Sequence, residues 1–449
     1  MKVVSGKKLT SSITGLLFML SVVGCSTEVV NTTGLTDNSN SVNNQQAQFL
    51  STFNSQFDNK GQSSKIINVR LKKTLNETQI NNIAKKYNAK VKKYIKQINL
   101  LTLETIATVE DGEVPKAVSA LSVDTTTIKT VEPALKVTLD PVKVENDDLG
   151  TDIKSATLND PMFGDQYSMK TMQVEDAWKI NPGNPKVKIA ILDTGVDLNH
   201  PDLKDKLVAG RNIADPTKQP MDDNGHGTHC SGIAAAASGN GEGGIGVGGR
   251  CSIMPVKILT FGSGTDDIIS EGIVWAADNG ANVMSMSLGI YRSSKPIEDA
   301  LKYAMDKGVS ISASAGNNNQ EYDIHLPSTY PGVIEVASTD DKDQKSSFSN
   351  FGKKISVAAP GSAILSTLPT YQVGSKPLNY GKLSGTSMAA PHVAGLIGLI
   401  LSQKPGLKPA EVTKVLESTA KDLGEPGWDR IFGNGRVDAL AALTSLKNK

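Results

Sequence analysis

The stretch that decides the fold is Val187-Lys-Ile-Ala-Ile-Leu192, followed at once by Asp193-Thr-Gly-Val-Asp197. An apolar run of this length is typical of a strand that is buried on both faces of a sheet. Because ligands bind at the carboxyl ends of parallel strands, Asp193 is expected to point into a cleft. By itself, Asp-Thr-Gly is also compatible with a plain turn or with half of an aspartic protease pair.

Similar apolar stretches follow and alternate with helical patterns. The predicted strands cover Ile253–Leu259, Val283–Met286, Ser310–Ala315 and Val333–Ala337. Helical patterns lie between them, as in Asp267–Asp278 and Ile297–Lys307. This alternation predicts an α/β fold with a mostly parallel central sheet and helices on both faces.

A second motif, Asn224-Gly-His226-Gly-Thr-His229-Cys230, precedes an alanine-rich run. The run predicts a buried helix with His226 at its start, and the flanking glycines leave room for a substrate backbone. His226 and His229 have a spacing that metals can use, but no third ligand lies at a useful spacing nearby. A proton-transfer role is therefore favoured over a metal site, and a simple helix cap is the other alternative.

A third motif, Gly385-Thr-Ser387-Met-Ala-Ala-Pro391-His392, predicts a serine where a turn enters a helix. The positive end of the helix favours developing negative charge there. Pro391 is expected in the first turn, where a missing N–H matters little. The chain order Asp193, His226, Ser387 is that of the subtilisin triad, and differs from chymotrypsin-like and α/β-hydrolase enzymes.

On these motifs, the stretch from Asn159 to Ala442 resembles the subtilisin-like serine proteases, and within them the thermitase and proteinase K branches. The resemblance implies a subtilisin-like fold in which Ser387 attacks the scissile carbonyl. His226 would take the serine proton and pass it to the leaving amine, and Asp193 would orient the imidazole. Cys230 matches a buried thiol beneath the catalytic histidine.

Two further motifs carry the substrate-binding residues that the resemblance implies. Ser314-Ala315-Gly316-Asn317 matches the oxyanion motif, so that Asn317 would donate its side-chain amide to the tetrahedral oxyanion. Ser287-Leu288-Gly289 matches the strand that pairs with the substrate main chain and lines one wall of the P1 pocket.

The resemblance also implies a structural Ca²⁺, and no catalytic metal. Asp160 and Asp202 match two carboxylate ligands, and Asn240 lies in the loop that would supply the rest. Oxygen ligands from separate segments suit Ca²⁺. This loop, Ser238 to Gly248, has six glycines and is longer than the family's, so a flexible acidic surface is the alternative.

Residues 65–140 predict a small domain of their own. The predicted order of strand, helix, two strands, helix and strand is the ferredoxin-like α+β arrangement. Residues 65–143 carry fourteen Lys/Arg against eight Asp/Glu, whereas residues 144–449 carry twenty-nine against thirty-five. The segment resembles the subtilisin propeptide, an inhibitor and folding chaperone, and opposite charge would favour its docking. An unrelated accessory domain is the alternative.

The region after this domain is divided into a processing linker, residues 141–158, and the peptidase domain, residues 159–449. The linker is acidic and loop-like around Asn146-Asp-Asp148, which predicts accessibility to cleavage.

The first 24 residues predict a signal peptide, with a basic start and a short apolar region. Its end, Val22-Val23-Gly24-Cys25, resembles the bacterial lipobox, which predicts lipidation of Cys25. The alternative is an ordinary signal peptide that happens to end near a cysteine. Residues 25–64 are rich in Asn, Ser, Thr and Gln, which predicts a disordered tether.

These features predict an exported, membrane-anchored serine endopeptidase of the cell envelope, made as a self-processing zymogen and open to release after maturation. Its expected partners are protein and peptide substrates, its own prodomain as inhibitor, and the membrane through Cys25. The enzyme is expected to be a monomer. Nucleic acid is excluded, because the basic residues do not form blocks with interleaved aromatics. The alternative is a catalytically silent, membrane-tethered binding protein. Three cysteines are too few for a disulfide framework, and a Cys230–Cys251 bridge stays open.

Overall fold

A computed structural model describes residues 38–106, 113–145 and 158–447 of the chain. The predicted signal peptide and Cys25 lie outside these residues. The helices in this part of the chain are α1 Asn38–Asn54, α2 Glu77–Lys86, α3 Glu113–Ser122, α4 Tyr167–Thr171, α5 Val174–Ile180, α6 His226–Ala235, α7 Asp266–Asp278, α8 Lys295–Asp306, α9 Thr386–Gln403, α10 Pro409–Thr419 and α11 Ala439–Ser445.

The strands form three sheets. Their bounds are β1 Gln62–Leu71, β2 Ala89–Ile95, β3 Leu100–Thr105, β4 Ile128–Thr138, β5 Lys143–Glu145, β6 Lys188–Asp193, β7 Arg211–Asn212, β8 Ser252–Lys257, β9 Ser263–Thr265, β10 Val283–Met286, β11 Ser310–Ser314, β12 Ile334–Thr339, β13 Val357–Pro360, β14 Ile364–Thr367 and β15 Tyr380–Ser384.

The largest sheet has seven parallel strands in the order β13-β12-β11-β10-β6-β8-β7. Strand β6 shows how helices cover both faces. Ile189 and Ile191 lie in one apolar cluster with residues of α6 and α9, whereas Ala190 and Leu192 lie in the other with residues of α7 and α8. The α/β prediction is confirmed. Because β8 and β10 flank β6 on either side, Asp193 ends the strand at which the order reverses, the usual place for a ligand cleft.

The region of residues 62–138 has the predicted element order, and its antiparallel sheet runs β2-β3-β1-β4. Helix α2 begins at a capping box, in which Gln79 N donates to Asn76 Oδ1 at 2.9 Å and Asn76 N donates to Gln79 Oε1 at 3.0 Å. The apolar face of α2 contributes Ile80 and Ile83 to a separate core cluster. This part of the chain therefore has a core of its own. We call residues 62–138 the N-terminal region and residues 158–447 the peptidase region.

Residues 136–145, which we call the tail, include the end of the N-terminal region and form strand pairs with the peptidase region. Strand β4 pairs antiparallel with β9, and β5 pairs antiparallel with β15. Residues 139–142, between these two pairings, cross the carboxyl end of the parallel sheet.

The prediction of a disordered tether for residues 25–64 is wrong for the part that is described. Residues 38–54 form α1, and β1 already begins at Gln62. Phe49 and Phe53 are four residues apart in α1 and therefore share one face, and Phe57, beyond the end of the helix, packs on Phe53 with ring centroids 4.9 Å apart. Ring centroids lie 5.5 Å apart for Phe49 and Phe53, and 5.5 Å apart for Phe49 and Phe261. This contact with the peptidase region orders a segment whose polar composition suggests disorder.

Among the described residues, no helix combines the length and the apolar character that crossing a membrane requires.

Candidate active site

Strand β6 and helix α6 bring the first two predicted residues together. His226 Nδ1 lies 2.8 Å from Asp193 Oδ1 and 2.9 Å from Oδ2, and both side chains are buried. Burial, the largest single effect, lowers the pKa of His226, but the charges of Asp193 and Cys230 and the hydrogen bonds to them together outweigh it and hold that pKa well above 6.5.

The sequence analysis missed Asp222, which holds the start of α6. Its carboxylate accepts from Thr228 N at 2.9 Å, Gly225 N at 2.8 Å and the Thr194 hydroxyl at 2.8 Å. These bonds tie the loop after β6 to the first turn of α6, and so fix the imidazole against Asp193. An acidic residue just ahead of a helix start is a recognisable signal that could have revealed it.

Ser387 is the second residue of α9 and is fully buried. Its hydroxyl donates to Ser287 O at 3.5 Å. Pro391 lies inside α9 and not in its first turn, so the expectation for its position is wrong. Proline lacks the N–H that would bond the carbonyl four residues earlier, which is that of Ser387. That carbonyl instead accepts from Ser287 Oγ at 2.8 Å and from Cys230 Sγ at 3.4 Å, which ties α9 to β10 and α6.

Two alternatives from the sequence, a Cys230–Cys251 bridge and a metal site that uses His226 and His229, can be compared with the observed contacts. Cys230 and Cys251 are both free and buried, so they are not bridged. Cys230 Sγ lies 3.8 Å from His226 Nδ1, and with Asp193 these groups form a compact cluster. His229 faces elsewhere: its Nε2 lies 3.1 Å from Gly381 O, and burial lowers its pKa to about 3.

Asn317 follows β11 and faces both α9 and the tail. Its Oδ1 accepts from Thr386 N at 2.8 Å and from Thr386 Oγ1 at 2.8 Å, which fixes the amide plane. Its Nδ2 donates to Pro141 O at 2.9 Å. The amide thus points its donor at a backbone carbonyl within the chain segment that crosses the cleft.

The tail lies in the cleft like an extended peptide. Thr138 forms an antiparallel bridge with Gly289, and Leu139 N donates to Gly262 O at 3.0 Å. The tail is thus held by Gly289, which follows Ser287 and Leu288, and by the stretch that enters β9. This is strand addition, which recognises main chain rather than side chains.

A pocket beside this strand holds the Asp140 side chain, which is 6% exposed. Tyr291 Oη donates to Asp140 Oδ1 at 3.1 Å, and His325 Nε2 lies 3.4 Å from Asp140 Oδ2. Glycines at two wall positions make the space. A Cβ at Gly289 would fall 1.8 Å from His325 Nε2, and one at Gly316, whose φ is +97°, would fall 2.6 Å from Tyr291 Oη. Ala315, just before Gly316, is also buried. The sequence analysis missed His325 and Tyr291, because neither belongs to a motif.

Ion pairs connect the N-terminal region to α7 and α8. Arg70 Nε donates to Asp299 Oδ2 at 2.6 Å, and Lys93 pairs with Glu271 and lies 3.8 Å from Asp267. The basic partners belong to the N-terminal region and the acidic ones to the peptidase region, which agrees with the predicted charge asymmetry.

Asp266, the first residue of α7, is fully buried at this junction. Its Oδ1 accepts from Asn68 Nδ2 at 2.9 Å and from Leu135 N at 2.9 Å, and its Oδ2 accepts from Ser294 Oγ at 2.8 Å. Burial, with a contribution from the charge of Asp267, raises the pKa of Asp266 to about 7.

The three predicted calcium ligands lie together. Gly239 N donates to both oxygens of Asp160, at 3.0 and 2.8 Å, and Asn240 Nδ2 donates to Asp202 Oδ1 at 2.7 Å. Asp160 and Asp202 are each 1% exposed. Asp202 Oδ2 and the Tyr380 hydroxyl are buried without a hydrogen bond of good geometry among the described residues. Burial, with the charge of Asp160 acting in the same direction, raises the pKa of Asp202 to about 6.

Comparison with known proteins connects this geometry to a family. Residues 184–435 match the sequence profile of the Subtilase family. Thermitase of Thermoactinomyces vulgaris is 44% identical over 289 residues, which are 64% of this chain and 99% of that protein. Fervidolysin of Fervidobacterium pennivorans is 34% identical over 401 residues, which are 82% of this chain and 57% of that protein.

The crystal structure of fervidolysin, described as a keratinolytic enzyme related to subtilisin, superposes with a TM-score of 0.77 at 30% identity. The match covers 86% of this chain and 62% of that one. The fold and the matched residues define a subtilisin-like serine peptidase. The chain belongs to the subtilase family and is a serine endopeptidase.

Proposed function

We propose that this chain is an exported, lipid-anchored serine endopeptidase, made as a self-processing zymogen, with Asp193, His226 and Ser387 as its triad. The observation that carries the proposal is the buried pair of His226 Nδ1 and Asp193 Oδ1 at 2.8 Å, next to the serine that begins α9. Cys230 contacts both His226 and the Ser387 carbonyl, so α6 and α9 are locked together at this point.

The chemistry follows from these positions. Ser387 Oγ forms a bond to the scissile carbonyl carbon while its proton passes to His226 Nε2, which is buried without a hydrogen-bond partner among the described residues. Asp193 stabilises the imidazolium that results. The oxyanion accepts from Asn317 Nδ2 and from the Ser387 backbone N–H. The C–N bond then breaks as His226 protonates the leaving amine, and water hydrolyses the acyl-enzyme by the same route.

The zymogen part of the proposal rests on the tail. Residues 139–142 cross the cleft, and the Pro141 carbonyl occupies the Asn317 amide that an oxyanion would use. His226 and Ser387 are fully buried in this arrangement. In this state the N-terminal region acts as the inhibitor and excludes other substrates. Self-processing then releases a fragment ending between Pro141 and Leu158.

Ser387→Ala tests the triad and the processing together. Wild type is expected to cleave casein and to lose the N-terminal fragment, whereas the variant remains full-length and inactive, a loss of about a million-fold in kcat. Mass spectrometry of the purified chains gives the end of the fragment. Casein cleavage by the variant at the wild-type rate would overturn the triad. Wild type and variant that both stay full-length would overturn the processing. A wild type that is folded but inactive would favour the silent binding protein.

Anchoring has a separate test, because the processing segment lies between Cys25 and the peptidase region in the sequence. Cleavage there leaves only the N-terminal fragment covalently attached to the lipid. After processing, the peptidase region is expected in the soluble fraction, whereas Ser387→Ala is expected in the membrane fraction. A Cys25→Ser, Ser387→Ala chain is the control and should leave the membrane. If processed enzyme free of the fragment stays on the membrane, something other than Cys25 holds it.

The proposal includes a structural Ca²⁺ held by Asp160, Asp202 and Asn240. The donor set fits the ion: two buried carboxylates and an amide from separate segments converge, and one carboxylate oxygen of Asp202 is not satisfied. The Asn240 side chain would have to turn its oxygen toward the ion, since its nitrogen now faces Asp202. Bound there, the ion would offset the repulsion of the two carboxylates and fasten the glycine-rich loop.

A further inference from the structure

The pocket around Asp140 is built for a carboxylate. Asp140 Oδ1 accepts a hydrogen bond from the Tyr291 hydroxyl at 3.1 Å, and His325 Nε2 lies 3.4 Å from Asp140 Oδ2, within ion-pair distance but without hydrogen-bond geometry. His325 is 1% exposed, so the contact is sheltered from water. A charged hydrogen bond in such surroundings is stronger than a neutral one.

The other side of His325 holds its ring in place. Its Nδ1 lies 3.1 Å from Ser328 Oγ, and Ser328 Oγ donates to Glu335 Oε1 at 2.8 Å. The ring also stacks on Tyr291 with centroids 4.4 Å apart. These contacts keep the imidazole fixed against the Asp140 side chain.

The register of the tail shows which substrate position the pocket serves. Thr138 pairs with Gly289, so antiparallel pairing sets Asp140 opposite Ser287. The Ser287 carbonyl is also the group that accepts from the Ser387 hydroxyl. A peptide bound in this register therefore places the residue equivalent to Asp140 beside the nucleophile, with its side chain in the pocket. In the tail itself, Asn317 Nδ2 contacts the carbonyl of the next residue, Pro141, so the oxyanion donor is taken by the residue beyond Asp140 and the tail is held out of position for cleavage after Asp140.

We propose that this pocket selects an acidic side chain, aspartate above all, at the substrate residue on the amino side of the scissile bond, with His325 and Tyr291 as the specificity-determining residues. The proposal rests on the proposed function and names the substrate class of the same site. Asp140 occupies the pocket as a built-in example of such a residue. It is followed by Pro141, whose tertiary amide makes that particular bond a poor substrate. Asp140 thus serves as an inhibitor contact while processing takes place further along.

The test uses quenched peptides with the sequence Lys-Val-Thr-Leu-X-Ala-Ser, which copies residues 136–140 and replaces the following proline. X is Asp, Asn or Leu, so that Asp and Asn differ in charge but hardly in shape. Purified enzyme obtained from the full chain is expected to cleave the Asp peptide with a kcat/KM about tenfold or more above that of the Asn peptide. The Leu peptide is expected to be cleaved less efficiently than the Asp peptide.

Two variants and one control assign the preference. His325→Asn is expected to bring the Asp/Asn ratio near one, and Tyr291→Phe to lower it several-fold. Asp323→Asn is the matched control. It changes an exposed charge in the same loop, whose partner is Lys353 at 2.9 Å, and should leave the ratio at the wild-type value. If His325→Asn gives no soluble protein, the Asp/Asn ratios of wild type and of Tyr291→Phe decide whether the pocket sets the preference.

The failures are distinguishable. Wild-type cleavage of the Asn or Leu peptide as efficiently as the Asp peptide overturns the acidic preference and leaves the peptidase intact. A preference that survives both variants overturns the roles of His325 and Tyr291. If no peptide is cleaved faster by wild type than by Ser387→Ala, the proposed function itself fails, and the inference with it.

Discussion

The interior of the peptidase region and its junction with the N-terminal region are held by different forces. The interior is apolar on both sheet faces, and residues such as Ile189 and Leu192 are fully buried. The junction has an apolar strip that includes Ile95 and Leu135, but ion pairs such as Arg70–Asp299 flank it. The charged groups at the junction remain well solvated if the two regions separate, whereas an apolar sheet face exposed to water is unfavourable.

This difference distinguishes the cores inside the two regions, which are permanent, from the contact between the regions, which is separable in the proposed zymogen. The catalytic geometry belongs to the permanent part, since α6 and α9 are locked by Cys230 and Ser287. Coverage of the cleft belongs to the separable part. Activity, stability of the peptidase region and retention of the N-terminal region should therefore respond to different substitutions.

After Ser387→Ala, the largest effect is expected from Asn317→Leu, which removes an oxyanion donor from the permanent part. The loss in kcat should be about 10²–10³-fold with little change in KM, because the donor acts on charge that develops in the transition state. Peptide kinetics measure it. Asn279→Leu, at an exposed position at the carboxyl end of α7, is the control and should keep wild-type kcat. Equal kcat for Asn317→Leu and wild type would remove this residue from the oxyanion site.

The next largest effect is expected from Ca²⁺ binding, which should stabilise the peptidase region alone. An ion that binds only the folded state adds about 2.7 kcal/mol at a concentration of 100 Kd. In the Ser387→Ala chain, a chelator should lower the melting temperature and excess Ca²⁺ should restore it. Asp202→Asn in the same chain should abolish the response. A melting curve that is unchanged by chelator would exclude the site.

Arg70→Met in the Ser387→Ala chain should loosen the separable contact. Loss of the charged hydrogen bonds to Asp299 is expected to cost about 2 kcal/mol, because Arg70 is buried while Asp299 keeps partial access to water. Hydrogen exchange of β1 and β4 should increase while that of β6 stays constant. Lys302→Met breaks an exposed pair with Asp306 on α8, the helix that carries Asp299, and is the control with a much smaller effect, because solvent screens the exposed pair. If Arg70→Met and Lys302→Met have equal effects, the Arg70–Asp299 pair does not hold the contact between the two regions.

The smallest effect, counted per pH unit, is a pH dependence at Asp266. Its pKa is about 7 in the folded chain and near 3.8 when it is free in water. The folded state therefore binds the extra proton, and stability from this group falls as pH rises from about 4 to 7, by at most about 1.4 kcal/mol per pH unit. Above pH 7 it falls no further.

Melting temperatures of Ser387→Ala with and without Asp266→Asn measure this dependence. The Asn variant should gain on its parent steadily between pH 4 and 7. Glu132, whose pKa burial also raises, leaves a residual slope in both chains. Parallel curves for the two chains would show that Asp266 is ionised in the folded state throughout.

Much of the fold could be predicted because its signals are local. The apolar run from Val187 to Leu192 predicted the strand that became β6, and the element order predicted within residues 65–140 is that of β1 to β4 with α2 and α3. In the same way, the stretches around His226 and Ser387 predicted helices that begin at or beside these residues. Helical and strand periodicities, and capping, depend only on neighbours in the chain.

Other features were missed or mispredicted because they depend on distant partners. Residues 38–54 are polar enough to suggest disorder, and only the contact of Phe49 with Phe261 explains the helix. The position of Pro391 was mispredicted, because the start of α9 depends on where β15 ends and on the Asn317 side chain.

The sequence by itself determined the family, the order of the catalytic motifs and the alternation of strands and helices, since each is written in short stretches of chain. Only the tertiary structure decided what faces the cleft. Asp140, Tyr291 and His325 meet there through loops and a strand tail whose paths are set by packing. Their arrangement exists only once side chains far apart in the sequence lie 3.1–3.4 Å from one carboxylate in surroundings from which water is excluded.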